Sequence, residues 1–304
     1  MKKKKMVLAG GSGFLGKCII DHFKGKRQIV VLTRRESKII NNVQYVSWDG
    51  KTLGSWAGLL EDADVLINLN GKSVDCRYTK ANKKLIYSTR LESTEILGRA
   101  IQQCKNPPRL WINSSSATIY RHALDRPMDE ETGETGTGFS VDVCQQWEKV
   151  FYASQINPTR KVAIRTAIVL GRDGGALKPL KALAKLGFGG KQGPGNQYFS
   201  WIHENDFVRI IDFIMEHDDL IGSINVSTPN PVTNDHIMRS LRKAIKIPFG
   251  IPMHGWVLEF GAVLIGTETE LVLKSRRVVS KRLLDAGFKF RFNRIEDALA
   301  DLVR

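Results

Sequence analysis

Four cysteines in 304 residues, Cys18, Cys76, Cys104 and Cys144, stand far apart and lack the close spacing of a thiolate metal site. They read as reduced thiols of a cytoplasmic protein, not as a disulfide framework, and no metal is expected. No apolar run approaches the length of a membrane span. Lys2 to Lys5 lead only into a short apolar strand and then glycines, which does not make a signal peptide. Internal repeats and low-complexity segments are also missing, apart from that short lysine run. A hydrophobic content of 42% and a charged content of 25% are ordinary for a globular chain. The net charge of +15 would suit a nucleic-acid partner. Its basic residues are spread along the chain, however, with no helix-turn-helix, zinc or RNA-recognition signature beside them. Neither nucleic acid nor membrane is therefore expected as a partner, and oligomeric state is left open, a homo-oligomer included.

What is present begins at Met6-Val7-Leu8-Ala9, a short apolar strand that runs into Gly10-Gly11-Ser12-Gly13-Phe14-Leu15-Gly16. Phe14, Leu15, Cys18, Ile19, His22 and Phe23 then recur at helical spacing. Gly10, Gly13 and Gly16 permit a tight turn, a close approach of backbone to ligand, and close packing of helix on sheet. The helix start at Phe14 and Leu15 offers free N–H groups and a positive dipole end to a pyrophosphate. A glycine triplet alone is weak evidence; between a strand and a helix it points to a dinucleotide.

The next strand, Gln28 to Thr33, ends in Arg34-Arg35 and lacks the acidic residue that would hydrogen-bond an adenosine ribose 2′-hydroxyl. A guanidinium there suits a 2′-phosphate instead, so NADP(H) is expected in preference to NAD. Further cofactor candidates are Asp49 after the third strand, Asn70-Gly71 after the fourth, and Arg90 within a long helix.

Strand-like and helix-like segments alternate through the first two thirds of the chain. Strands are expected at Val43–Trp48, Asp64–Leu69, Leu110–Ser114 and Lys161–Arg165, and helices at Thr79–Cys104 and Val141–Ser154. This order implies an α/β fold, a Rossmann-like doubly wound parallel sheet. Gly187 to Gly195 reads as a flexible loop, and Asp206 as a helix cap beside His203. Beyond Thr228-Pro229-Asn230-Pro231 the alternation weakens. Residues 1–230 are thus read as the dinucleotide domain and 231–304 as a small C-terminal α/β lobe, with helices at Asn234–Ile245 and Arg294–Val303.

Several segments together resemble an extended short-chain dehydrogenase/reductase. They are Gly10–Gly16, Val65–Leu69, Ser114-Ser115-Ser116-Ala117-Thr118-Ile119-Tyr120, Arg165–Gly171 and Trp201–Asp206. Gly174-Gly175-Ala176-Leu177, Gly189–Gly195 and Phe199–His203 are similar to a narrower group, the epimerase family proteins. The tail Ser280–Phe290 resembles that group's C-terminal domain of unknown function, DUF1731, from about residue 250 onward. The resemblance implies an NADP-dependent oxidoreductase or epimerase with a small-molecule substrate, nucleotide-sugar-like in the wider superfamily.

Reductases of this superfamily pair a Ser or Thr with Tyr-x-x-x-Lys. The tyrosine exchanges a proton with substrate, while the lysine holds ribose and lowers the tyrosine pKa. By motif match Ser116 takes the serine position, whereas Cys144 falls at the tyrosine position and Glu148 at the lysine position. Lys149 points about 100° away around the helix and does not substitute. A carboxylate raises a neighbouring acid's pKa, so the usual proton relay is lost, although Glu148 could still hydrogen-bond ribose hydroxyls. Tyr120 is an alternative proton donor or a packing residue of the same signature, and Arg165 meets either an anionic ligand or a buried carboxylate. Two functions are left: a reductase or epimerase that uses Ser116 with a non-standard acid or water, and a cofactor-binding sensor or scaffold without turnover.

Overall fold

Strands apolar at nearly every position need cover on both faces, and β1 (Lys5–Ala9) shows how that cover is divided. The computed structural model describes residues 3–255 and 273–304. In β1, Met6 and Leu8 point into one core while Val7 and Ala9 point into another. The helix α1 (Phe14–Phe23) covers the first face, burying Ile19 and Phe23. The strands β2 (Gln28–Thr33), β3 (Lys38–Ile40), β4 (Val43–Ser47) and β5 (Val65–Asn68) follow. The long helix α2 (Lys80–Gln102) starts at the cap Thr79, whose hydroxyl accepts from Asn82 N, and sets Ile96, Leu97, Ala100 and Ile101 against the second face. β6 (Leu110–Ser116), α3 (Phe139–Ala153) and β7 (Arg160–Thr166) complete the main units.

After β7 the chain forms β8 (Ile168–Leu170), α4 (Leu177–Leu183), β9 (Tyr198–Phe199) and β10 (Trp201–His203). It continues as α5 (Glu204–Glu216), β11 (Gly222–Val226), β12 (Val232–Thr233) and α6 (Asn234–Ala244), and later as α7 (Lys281–Asp285) and α8 (Ile295–Leu302). The eight-stranded sheet runs β11-β7-β6-β5-β1-β2-β4-β3, parallel throughout except for β3. Order reverses between β1 and β5, and a dinucleotide lies across that crevice in folds of this topology.

β3 was not anticipated. It joins β4 through Asn41 and Asn42, both at positive φ, as a two-residue hairpin turn of this kind requires. The expected helices near the C-terminus form as α6 and α8, and share a third core with Leu170, Leu177 and Trp201. The part of the DUF1731-like segment at 256–272 lies outside the described residues.

Two expectations are corrected. Residues 187–195 are not a loose loop: Gly190 and Gly193 donate to Ile251 O and Met253 O, and Ile251 and Met253 donate back to Gly187 O and Lys191 O. Glycine serves close approach there, since a Cβ at Gly190 would stand 2.5 Å from the Ile251 carbonyl carbon. Asp206 is not the helix cap; His203 is, its Nδ1 accepting from Asn205 N at 3.0 Å. The fully buried Asp206 carboxylate instead accepts from Arg291 N and Phe292 N, binding the C-terminal segment to α5.

Candidate cofactor and reaction site

The turn after β1 is built for an anion. Gly10 sits at φ +77°, and a Cβ on it would stand 2.6 Å from Asn70 Oδ1. Asn70 is placed in turn by Asn68 Oδ1, which accepts from both its backbone and its side-chain nitrogen. Gly16 faces Gly11, whose Cα would lie 2.5 Å from a Cβ at 16. Gly13 caps α1 without any side-chain hydrogen bond, the first turn holds no acidic residue, and nothing lies within 4 Å of its Cβ position. The first-turn N–H groups of Phe14, Leu15 and Gly16 therefore have no side-chain acceptor, as a pyrophosphate site requires.

Phe14 is held by a feature that sequence reasoning missed. The loop after β8 offers its ring a seat of three glycines. A Cβ at Gly174 would stand 2.9 Å from Phe14 Cγ, one at Gly171 2.7 Å from Cε2, and one at Gly175 3.0 Å from Cε1. Arg172 N donates to Glu204 Oε1 at 3.1 Å and ties this loop to α5. The glycine pair in Gly174-Gly175-Ala176-Leu177 was visible as a motif, but its partner was not.

On the other side of β1, exposed Arg34 at the end of β2 lines a cavity of about 570 Å³ with Trp48, Asp49, Thr52 and Trp56. No carboxylate among the described residues pairs with the Arg34 guanidinium. Asp49 accepts from Lys51 N, Thr52 N and Thr52 Oγ1. Those bonds, the Thr52 hydroxyl foremost, hold its carboxyl down at about 2. It shapes the cavity wall as a turn former. Glycine loop and Arg34 together fit a dinucleotide with a 2′-phosphate.

The reaction end differs. Ser116 Oγ accepts from Thr118 N and donates to Thr118 Oγ1 at 2.9 Å, capping a short turn while staying half-buried. Glu148 is buried and receives four donors: Ser115 Oγ at 2.6 Å, Arg165 Nε at 2.9 Å, Arg165 Nη2 at 2.8 Å and Ser223 Oγ at 3.2 Å. The expectation that Glu148 reaches ribose hydroxyls is corrected, because its oxygens are already taken. Arg165 meets a buried carboxylate, and this bidentate bond raises its pKa despite the desolvation that opposes it. Arg165 Nη1 also donates to the Tyr120 hydroxyl, which donates to Asn225 Oδ1 at 2.9 Å. Tyr120 is 1% exposed, and burial pushes its pKa up. Its hydroxyl is engaged on both sides, the geometry of a packing residue. Cys144 is also buried, and desolvation pushes its thiol to about 12, so it is neither nucleophile nor acid near neutrality.

A buried polar chain lies behind these groups. Asn68 Nδ2 on β5 donates to Asn113 Oδ1 on β6 at 2.7 Å and to Thr94 Oγ1 on α2 at 3.0 Å. Thr94 accepts from Trp147 Nε1 on α3 at 2.8 Å. The Trp147 ring then carries the Arg90 guanidinium at 5.1 Å, and a Cβ on Gly71 would stand 2.8 Å from Arg90 Cζ. None of Asn68, Thr94, Asn113 or Trp147 was legible as a site residue, since each has its partner on another element.

A doubly wound parallel sheet with a glycine turn at its first strand and an order reversal beside it defines a Rossmann-like dinucleotide-binding fold. The family model for the NAD dependent epimerase/dehydratase family matches residues 6–142, and that for DUF1731 matches residues 255–302. An epimerase family protein of Staphylococcus haemolyticus is 30% identical over 303 residues, covering 99% of each chain. The mouse epimerase family protein SDR39U1 is 28% identical over 309 residues, covering 98% of this chain and 99% of its own. The crystal structure of human SDR39U1 (isoform 2) with NADPH superposes at a TM-score of 0.88 with 25% identity, covering 98% of this chain and 99% of that one. A nucleoside-diphosphate sugar epimerase of Corynebacterium glutamicum superposes at 0.80 with 26% identity, covering 99% of this chain and 58% of that one. The chain belongs to the epimerase family proteins, with a C-terminal DUF1731 domain.

Proposed function

We propose that this protein binds NADP(H) across the carboxyl edge of its sheet and works as a reductase or epimerase on a small-molecule substrate. The observation that carries this is the anion-ready turn at Gly10–Gly16 combined with the unpaired Arg34 at the end of β2. NADPH in the similar human structure supports the choice of cofactor. Gly13, Phe14, Leu15 and Gly16 would hold the pyrophosphate and Arg34 the 2′-phosphate. Asn70 and Gly71 would line the crevice, with Asp49 shaping the adenosine side. When bound, the cofactor supplies hydride transfer. Ser116 Oγ, with its partner Thr118, is the hydroxyl left to hold a substrate oxygen. Neither Cys144 nor Tyr120 is placed to move the proton, which comes from water or from an acid outside the usual pair. The site is read as acting on a small molecule in the cytoplasm, without nucleic acid or membrane.

The locked Glu148 favours a second reading, a cofactor-binding sensor without turnover. NADPH consumption against a panel of aldehydes, ketones and nucleotide sugars separates the two. Turnover that Ser116→Ala abolishes, with NADPH affinity unchanged, supports the enzyme. Binding with no consumption on any substrate supports the sensor, and turnover that survives Ser116→Ala removes Ser116 from its role.

A further inference from the structure

The site lacks a lysine on α3, yet a cation stands close by on another helix. Arg90 projects from α2, half-buried, with Nη1 donating to Lys72 O and Ile86 O at 3.0 Å each. Its plane is fixed by those two carbonyls and by the Trp147 ring beneath it. Trp147 is one turn from Cys144, and Arg90 is close enough to that thiol to act on it electrostatically, so Arg90 lies near the part of α3 where the Tyr of related reductases would stand. No carboxylate among the described residues pairs with Arg90. Glu148, the carboxylate next to Trp147 in the chain, is engaged by Arg165. A guanidinium kept out of bulk water without a counter-ion is unfavourable by itself and gains from an anionic or hydroxyl-rich ligand. Its position relative to the sheet says which one. Arg34 follows β2 on one side of the order reversal, while Arg90 covers Gly71 beyond the end of β5 on the other side. The two halves of a dinucleotide lie on opposite sides of that reversal. Gly71 has no side chain to block the approach.

We propose that Arg90 holds the nicotinamide-side ribose and phosphate of the cofactor, taking over from α2 the holding role of the lysine absent from position 148. This rests on the NADP(H) reading above. It goes further by assigning each half of the cofactor its own arginine, and it explains how binding survives a carboxylate at position 148. Arg90 is not assigned the transfer of a proton.

The test uses two probes, NADPH and 2′,5′-ADP, which keeps the adenosine end and lacks the nicotinamide ribose. Calorimetry on Arg90→Gln is expected to show tenfold or greater weakening for NADPH with 2′,5′-ADP within twofold of the unmodified protein. Arg90→Lys, which keeps the charge but not the fork, is expected to retain more NADPH affinity than Arg90→Gln. The ratio of the two affinities is read on Arg90→Lys alone if the glutamine variant does not fold. Equal weakening of both probes, or unchanged NADPH affinity, would overturn the proposal. Failure of the unmodified protein to bind either probe would overturn the cofactor reading and this inference with it.

Discussion

The two sides of the β1–β5 crevice are built on opposite principles. On the phosphate side polar groups are left open: the first-turn amides of α1 have no side-chain acceptor and Arg34 has no counter-ion among the described residues. At the reaction end the conspicuous polar groups are closed on one another. Glu148 takes four donors, and the Tyr120 hydroxyl both donates and accepts. Exposed polar groups can exchange water for a ligand, while polar groups satisfied in the interior hold a fold. On the function proposed above, binding is kept in this chain while proton transfer has left its usual address.

The largest effect should come from the closed region. Arg165→Ala leaves the Glu148 carboxylate buried and unpaired, which costs about 3–5 kcal/mol. Urea unfolding is expected to show that loss, and a change below about 1 kcal/mol would mean that the pair is not the lock described. Placing the familiar lysine with Glu148→Lys sets a second cation against Arg165, so it should destabilise the fold and raise no activity.

The open region can be broken from a distance. Gly174→Ala drives a methyl into the Phe14 ring, and overpacking of this kind costs about 1–3 kcal/mol. Because Phe14 begins α1, NADPH affinity should fall along with stability. Phe14→Leu in the same chain should restore part of both. Additive losses in the double variant would separate the glycine seat from the cofactor turn.

An effect on cofactor affinity alone comes from Arg34→Ala. Loss of charge-assisted hydrogen bonds of about 1.5–3 kcal/mol should weaken NADPH roughly tenfold to a hundredfold and leave NADH unchanged. Equal losses for both cofactors would remove Arg34 from the 2′-phosphate.

One further effect is a pH dependence in neither region. His203 is fully buried and stacked on Phe292 at 3.8 Å, and burial lowers its pKa from 6.5 to about 4, against the pull of Asp301. Between those values the unfolded chain binds a proton that the folded chain does not, so stability falls as pH drops from 6.5 towards 4. His203→Asn keeps a capping oxygen, and its melting temperature should depend less on pH in that window. An unchanged slope would place the dependence elsewhere.

The sequence made some of this legible and hid the rest for a physical reason. β1, β2, β5, β6 and β7 announce themselves as apolar runs, and α2 and α3 as periodic helices, because those signals are local. The glycine turn and Arg34 are local too. β3 turned on Asn41-Asn42, a turn signal passed over between Ile40 and Val43. β8 and β11 are three and five residues long and are defined by partners far along the chain. Cys144 and Glu148 were recognisable as departures from a motif, but the consequence was not. The donors to Glu148 lie 33, 17 and 75 residues away in sequence, on β6, β7 and β11, and only the sheet order brings them together.

The preference of the open side for NADPH is tested most directly by thermal unfolding with NADPH, NADH and no ligand. NADPH at about a hundred times its dissociation constant should add about 2.7 kcal/mol of stability, with NADH at the same concentration adding much less. A shift with NADH equal to that with NADPH, or no shift with either, would contradict the account.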